Sequence, residues 1–245
     1  MIDASFDAHV HLQDYPKDIL ASVLGRARAV GVVRFGCCGT KPSDWSRVLY
    51  LSETEDGVEP SFGVHPWYVD NLPENWVECL EEYVASHSNA GIGEIGLDGL
   101  RGNIDLQTLV FVSQLELAAK YHRRVTVHCV RANEKILPIL KEYAHKVPCI
   151  LIHSFSSSVE EWRKYERLGI KISFGCAILN KHAQRVRELA KIVPDDMFCL
   201  ETDSPYMVTE GCGIKEFGNL NAPENLIRVI RVVNELKLVT KTQLT

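Results

Sequence analysis

The sequence lacks the long apolar stretch that marks a membrane protein. No apolar run approaches the ~18 residues that a membrane-spanning helix needs. The N-terminal residues 1–11 contain Asp3 and Asp7, and they lack a basic segment followed by an apolar one. We therefore expect no signal peptide, and we predict a cytoplasmic protein without membrane contact.

The cysteines lack the spacing of a zinc knuckle or of a thioredoxin-like redox motif. Eight are present, but no two of them form a Cys-x-x-Cys pair. Several lie in apolar runs such as residues 147–152 and 197–200, where a thiol behaves as a small apolar side chain. We therefore predict reduced cysteines with a structural role, as is usual in the cytosol.

The chain also lacks the excess of basic residues that is typical of proteins that hold long duplexes. It has 27 Lys and Arg against 32 Asp and Glu, a formal net charge of −5. Proteins that bind duplex nucleic acid by phosphate neutralisation usually have a strongly basic face. A nucleic-acid substrate would therefore have to be held locally, for example at a strand end.

No linker, low-complexity tract or charge run divides the 245 residues. Hydrophobic residues make up 46% and charged residues 24% of the chain, as in globular proteins with a sizeable core. The sequence therefore predicts a single domain over residues 1–245. No feature indicates an obligate protein partner.

Short apolar runs alternate with longer amphipathic segments along the chain. Several of the runs are apolar on both faces, as a parallel sheet covered on both sides requires. The predicted strands are residues 2–7, 32–37, 59–63, 90–94, 124–128, 149–153, 170–174 and 197–201. Residues 108–122, 158–168 and 181–192 have the spacing of amphipathic helices, and in the first of them Leu109 falls on the apolar face while Gln107 and Gln114 lie off it. Eight such alternations predict an α/β protein with a (β/α)₈ (TIM) barrel.

Residues of the types that bind metals follow the predicted strands. His9 and His11 form a His-x-His pair at the end of the first strand, where residues two apart point to the same side. The others follow strands three, four, five, six and eight: His65, Glu94, His128, His153 and Asp203. In such barrels the catalytic groups come from the C-terminal ends of the strands, which meet on one face. The sequence therefore predicts a metal site there.

A single histidine is more often a hydrogen-bonded core or surface residue than a metal ligand. His87, His122, His145 and His182 lie in helical segments or just after them, and we assign them to that ordinary class. The other five histidines all follow strands, and chance rarely produces such a distribution. We therefore interpret them as residues of the metal site.

The candidate ligands are enough for two divalent ions. Two histidines, an aspartate and a shared glutamate suit one ion, and two further histidines with the same glutamate suit a second. Mixed imidazole and carboxylate ligation fits Zn²⁺ or Mn²⁺, whereas Mg²⁺ prefers oxygen ligands and water. A pair of such ions activates water and stabilises both oxygens of an in-line displacement. Asp203 can accept the proton of that water while it binds metal.

Other candidate residues have two interpretations each. Trp67 and Tyr68 follow His65 and could stack on a base or a sugar ring, or they could pack on the rim of the barrel. Arg101 and Arg131 fall in loops of the same face and could contact phosphate or remain solvated. Cys129 is assigned to the core, because the alternation of its strand points it away from the site.

Several strings of residues occur in a characteristic order from the first strand to beyond the eighth. They are residues 6–12 (Phe-Asp-Ala-His-Val-His-Leu), 63–67 (Gly-Val-His-Pro-Trp), 93–98 (Gly-Glu-Ile-Gly-Leu-Asp), 107–118 with Gln107, Phe111 and Gln114-Leu115-Glu116-Leu117-Ala118, 127–129 (Val-His-Cys), 153–156 (His-Ser-Phe-Ser) and 201–206 (Glu-Thr-Asp-Ser-Pro-Tyr). In these strings the sequence resembles the TatD-type metal-dependent deoxyribonucleases.

The resemblance implies a (β/α)₈ barrel that hydrolyses DNA with Mg²⁺ or Mn²⁺, as an exonuclease acting from the 3′ end of single strands. It places the metal ligands at His9, His11, Glu94, His128, His153 and Asp203, with Glu94 bridging. It places His65 near the substrate. The sequence departs from the family pattern at residues 99–103, at Val130 where arginine is usual, with Arg131 next, and at Ser157 and Ala222. These departures leave the ligands intact and concern the contacts to substrate.

Three functions fit the sequence. The first is a metal-dependent deoxyribonuclease. The second is a hydrolase of the same barrel that acts on a small cyclic amide, lactone or phosphoester, since fold does not fix substrate. The third is a metal-stabilised binding protein without turnover, against which the complete ligand set argues.

Overall fold

Strands and helices alternate along the chain in a computed structural model, which describes residues 5–209 and 211–243. The strands are β1 Phe6–Val10, β2 Arg34–Cys38, β3 Val58–Phe62, β4 Gly91–Asp98, β5 Val125–Val130, β6 Ile150–Ile152, β7 Lys171–Phe174 and β8 Phe198–Leu200. The α-helices are α1 Lys17–Ala29, α2 Pro42–Thr54, α3 Trp76–Ser86, α4 Ile104–Lys120, α5 Asn133–Tyr143, α6 Val159–Glu166, α7 Gln184–Ile192 and α8 Leu226–Gln243. Short 3₁₀ turns follow β1, β3, β7 and β8.

The strands form an eight-stranded sheet whose order follows the chain from β1 to β8. The pairs β3–β4, β4–β5, β5–β6 and β7–β8 are parallel. A parallel sheet in chain order, with a helix after each strand, is the arrangement of the (β/α)₈ barrel. The predicted fold class is confirmed.

Contacts between Cα atoms divide the chain into two compact units. The first comprises the described residues of Met1–Gly36, Ser154–Arg163 and Ile172–Thr245. The second comprises Cys37–His153 and Lys164–Lys171. The prediction of one domain over residues 1–245 stays a prediction.

Each unit buries large apolar side chains of its own. Leu24, Trp162 and Phe174 are fully buried in the first unit, and Phe62 and Phe111 in the second. Burying one such side chain contributes about 1.5–3 kcal/mol relative to leaving it in water. In β4 every position is buried, as expected for a central strand covered on both faces.

All eight strands differ from the predicted ranges by at least one residue, and the largest differences are in β1 and β4. β1 begins at Phe6 and ends at Val10, and residues 2–4 of the predicted strand lie outside the described residues. β4 continues to Asp98, so that Glu94 lies inside the strand and not at its end. This continuation needs Gly96, because a Cβ there would lie 2.0 Å from the carbonyl oxygen of His128 on β5.

The apolar face predicted for α4 is wrong in part. Leu109 is 68% exposed, whereas Gln107 and Gln114 are fully buried. The two glutamines are buried because their amides bond to backbone groups of neighbouring segments.

All eight cysteines lie in the described part of the chain and are present as thiols. Cys129, predicted to lie in the core, is only half-buried, and its thiol donates to Asn133 Oδ1 at 3.5 Å. Among the described residues no helix combines the length and the apolar character needed to cross a membrane.

Candidate metal centre and its surroundings

The first unit holds a cluster of two histidines and one aspartate, all of them buried. His9 Nε2 lies 3.2 Å from His11 Nε2, and Asp203 Oδ1 lies 3.7 Å and 3.4 Å from these two nitrogens. His9 belongs to β1, His11 follows it directly, and Asp203 follows β8. The sequence prediction that the His-x-His pair and Asp203 come together is consistent with this geometry.

Backbone and side-chain bonds fix the segments that carry this cluster. Asp203 N donates to His9 O at 3.0 Å, and His11 N donates to Ser204 O at 2.8 Å. Thr202 donates to both carboxyl oxygens of buried Asp7, from its backbone N at 2.9 Å and from its hydroxyl at 2.6 Å. Burial raises the pKa of Asp7 well above its usual value, although these bonds act in the opposite direction.

The second unit holds a larger cluster around Glu94. Its Oε1 lies 2.8 Å from His153 Nε2, 2.9 Å from His128 Nδ1 and 3.3 Å from His65 Nε2. All four side chains are buried. Glu94 lies within β4 and His128 within β5. His65 lies between β3 and the 3₁₀ turn that begins at Pro66, and His153 directly follows β6. Three imidazoles therefore converge on one carboxylate oxygen.

His65 takes a defined hydrogen-bonding role. Its Nδ1 accepts a hydrogen bond from the backbone N of Trp67 at 3.1 Å. A neutral imidazole that accepts at Nδ1 carries its proton at Nε2, the atom that faces Glu94. His65 is thus placed as a hydrogen-bond donor to Glu94, and its position near the substrate stays a prediction.

Asp98 was not predicted as a site residue, yet it connects Trp67 with the Glu94 cluster. Its Oδ2 accepts from Trp67 Nε1 at 2.6 Å and lies 3.5 Å from His128 Nε2, and its Oδ1 accepts from Leu100 N at 2.9 Å. Burial disfavours the ionised carboxyl, but these hydrogen bonds and nearby His128 together hold the pKa of Asp98 below its usual value. The only sequence signal was its position at the end of the Glu-Ile-Gly-Leu-Asp string.

Trp67 and Arg131, which the sequence predicts to contact substrate, both have exposed side chains. Trp67 is 49% exposed, and Arg101 lies over its ring with Cζ 4.5 Å from the centroid. Arg131 follows β5 with an exposed side chain and a backbone φ of 46°. Its contact to substrate stays a prediction, as does the role of Trp67.

The donor sets fit divalent metal ions. One donor atom from each of His9, His11 and Asp203 lies within 4.8 Å of the others. Around Glu94 Oε1, His128 Nδ1 lies at 2.9 Å and His153 Nε2 at 2.8 Å. Buried carboxylates and imidazoles so close together carry a large desolvation cost unless they are paired or coordinate a cation. Imidazole with carboxylate oxygen is the mixed set that zinc and similar first-row ions accept.

Known proteins resemble this chain over nearly its whole length. A protein of Escherichia coli described as the uncharacterized metal-dependent hydrolase YjjV is 31% identical over 245 residues, covering 97% of this chain and 92% of that protein. A Shigella flexneri protein described as 3′-5′ ssDNA/RNA exonuclease TatD is 28% identical over 231 residues, covering 92% and 88%.

The solved structures agree. The crystal structure of the TatD homolog YjjV from Escherichia coli matches with a TM-score of 0.86 at 30% identity, and covers 96% of this chain and 91% of that one.

Fold, donor clusters and relatives together define a metal-dependent hydrolase. The model of the family described as TatD related DNase matches residues 6–245. The chain belongs to this family, and the predicted family resemblance is confirmed.

Proposed function

We propose that this protein cleaves phosphodiester bonds of single-stranded nucleic acid, most effectively DNA, from the 3′ end. The observation that carries the proposal is that the residues of the two donor clusters lie in a sequence that matches a nuclease family. A relative that is 28% identical is described as a 3′-5′ ssDNA/RNA exonuclease, which supports this substrate class.

We assign two divalent ions, Mg²⁺, Mn²⁺ or Zn²⁺, to the predicted ligands, which are His9, His11 and Asp203 in the first unit and Glu94, His128 and His153 in the second. When bound, such ions activate water and stabilise negative charge on phosphate oxygens. Asp203 has one carboxylate oxygen turned to His9 and His11, and we assign to its carboxylate the role of accepting a proton from the attacking water. His65 Nε2 lies 3.3 Å from Glu94 Oε1, and in the proposed complex its proton is donated to a phosphate oxygen of the bound substrate.

The groups around the clusters hold these side chains in place. The Thr202 bonds to Asp7 and the His9–Asp203 backbone bond restrict the segments that carry the first cluster. Buried, preorganised donors are worth more in such a site than in water, because they need no reorganisation when charge develops.

The test uses a 5′-labelled single-stranded DNA oligonucleotide and its RNA counterpart, with Mg²⁺, Mn²⁺ or EDTA. We expect a metal-dependent ladder that shortens from the 3′ end. Glu94→Ala should lower metal content and cleavage together. Asp203→Asn should reduce turnover by a larger factor than it reduces the metal content of the Glu94 cluster. The exposed residues Asp105 and Glu134 supply the control variants Asp105→Asn and Glu134→Ala, which should cleave as the wild type does.

Two results would contradict these assignments. Full turnover by Asp203→Asn would exclude Asp203 as the base. A protein that contains metal and leaves both oligonucleotides intact would exclude the nuclease. It would favour the second candidate, a small-molecule hydrolase, which the net charge of −5 also favours because it weakens the attraction for phosphates.

A further inference from the structure

A groove of about 300 Å³ lies in the second unit, beside the residues that follow β3. It lies between the start of α2 and the 3₁₀ turn Pro66–Asn71. Its lining includes Lys41, Ser43, Trp67, Tyr68, Asp70 and Leu72. The turn begins one residue after His65, whose Nε2 lies 3.3 Å from Glu94. The groove therefore starts directly beside the Glu94 cluster.

Two aromatic side chains of the groove are exposed although they are held in place. Trp67 and Tyr68 are 49% and 39% exposed. The Trp67 indole N–H donates to Asp98 Oδ2 at 2.6 Å, and the rings of both residues pack edge-on against His65, at centroid distances of 5.1 Å and 6.2 Å. Because the rings are already held in place, little side-chain conformational entropy is lost when a flat ligand stacks on them.

Cationic groups accompany both rings. Lys41 Nζ lies 4.7 Å from the centroid of the Tyr68 ring, and Arg101 lies over the Trp67 ring. Aromatic faces beside cations are the combination that binds single-stranded nucleic acid, since the rings stack on bases and the cations meet phosphates. Asp70 is the acidic member of the lining and makes the groove less attractive to an isolated anion.

We propose that this groove binds one nucleotide of the single strand, next to the nucleotide whose phosphodiester bond is cut. The base stacks on Tyr68 and Trp67, and Lys41 contacts the adjoining phosphate. This inference rests on the proposed nuclease function, because it assumes a nucleic-acid strand as substrate. It adds a contact that is independent of the metal ligands and that acts on binding.

The test measures binding and cleavage separately in Tyr68→Ala and Lys41→Gln. Neither residue belongs to the donor clusters. Tyr50, which is 58% exposed on α2, and Lys135, which is exposed on α5, supply the matched controls Tyr50→Ala and Lys135→Gln. Binding of a fluorescent single-stranded oligonucleotide is followed by anisotropy in EDTA, where no cleavage occurs. Cleavage with Mn²⁺ gives KM and kcat, and circular dichroism checks that each variant is folded.

We expect Tyr68→Ala to weaken oligonucleotide binding about 5-fold to 100-fold, the range of one lost stacking contact. Lys41→Gln should weaken binding and reduce the slope of log affinity against log salt by about 0.7, one phosphate contact on a single strand. Both should raise KM and leave kcat nearly unchanged.

The outcomes separate the two proposals. A wild type that binds the oligonucleotide without cleaving it, with binding weakened in both variants, would support the groove and overturn the nuclease. A wild type that cleaves, with both variants binding like the controls, would overturn the groove alone. Equal weakening for a free mononucleotide and for the oligonucleotide would overturn the assignment to a strand.

Discussion

Asp98 stands between the exposed indole of Trp67 and the buried ring of His128. One of its carboxylate oxygens, Oδ2, accepts from Trp67 Nε1 and faces His128 Nε2, while Oδ1 accepts from the backbone of Leu100. Carboxylates that bond to the far nitrogen of a metal-binding histidine orient its ring and raise its basicity. We therefore regard Asp98 as a positioning residue for His128.

The Asp98→Asn variant should bind metal more weakly. The amide offers one oxygen in place of two, so that either Trp67 or Leu100 loses its acceptor and His128 faces a less favourable partner. We expect metal affinity to fall about 10-fold to 100-fold, the usual effect of losing such a partner. Isothermal titration calorimetry of the metal-free protein with Mn²⁺ measures this affinity. Asp105→Asn, on an 86% exposed side chain, is the control. Equal affinity in both variants would show that Asp98 has no positioning role.

The residues that could be predicted from sequence are those whose position along a strand is sufficient evidence. His9, His11, His128 and His153 lie at or just after strand ends, and the parallel sheet places such residues on one face. Asp98 and Lys41 were not predicted as site residues, because their roles depend on contacts with residues distant in sequence. The partner of Asp98, Trp67, lies 31 residues away.

At the scale of elements, α4 fixes two segments next to the Glu94 cluster. Gln114 accepts from Val64 N at 2.7 Å and donates to Val64 O at 3.2 Å, directly before His65. Gln107 accepts from Asp98 N at 2.8 Å and donates to Asp98 O at 3.2 Å. Each amide thus satisfies a backbone donor and a backbone acceptor of the segment that it contacts, and Asp98 O accepts from Arg101 N as well.

Removing these amides should destabilise the protein. Gln114→Leu leaves Val64 N and O buried without this partner, and we expect a loss of about 1–3 kcal/mol for each unsatisfied group. Urea denaturation measures the free energy of unfolding, and KM should rise because His65 is held less firmly. The matched control is Leu109→Gln, a change at a position of the same helix that is 68% exposed. A Gln114→Leu variant as stable as this control would contradict the role of α4.

The same helix shows where sequence patterns fail. Its apolar face was predicted from residue type, which puts leucine inside and glutamine outside. In the structure Leu109 is exposed and both glutamines are buried, because hydrogen bonds to backbone groups offset the cost of burying an amide. The strand of Glu94 was predicted too short for a related reason, since the role of Gly96 depends on the neighbouring strand. The alternation of strands and helices was predictable because it repeats along the whole chain.

At the scale of the whole molecule, each compact unit contains one candidate cluster of metal ligands. The first includes His9, His11 and Asp203, and the second includes Glu94, His128 and His153. Groups that must be deprotonated and held together to bind metal are brought together only in the folded chain. We therefore expect the binding of divalent metal to be coupled to folding.

Divalent metal should raise the midpoint of thermal unfolding. A ligand that binds only the folded state adds about 2.7 kcal/mol at a concentration of 100 times its Kd, and each kcal/mol shifts the midpoint by about 2–4 °C at this size. We therefore expect Mn²⁺ or Zn²⁺ to raise the midpoint by about 5–10 °C over the protein in EDTA. Differential scanning calorimetry at matched ionic strength measures the shift.

Variants assign that shift to the clusters. His11→Ala and His128→Ala each remove one candidate ligand, and each should lose a large part of the increase. His145→Ala removes an exposed histidine after α5 and should keep the whole increase, since His145 belongs to neither cluster. An equal midpoint in EDTA and in metal for the wild type would mean that the clusters do not bind these ions in the folded protein. A loss as large in His145→Ala as in His128→Ala would place the stabilising metal elsewhere on the surface.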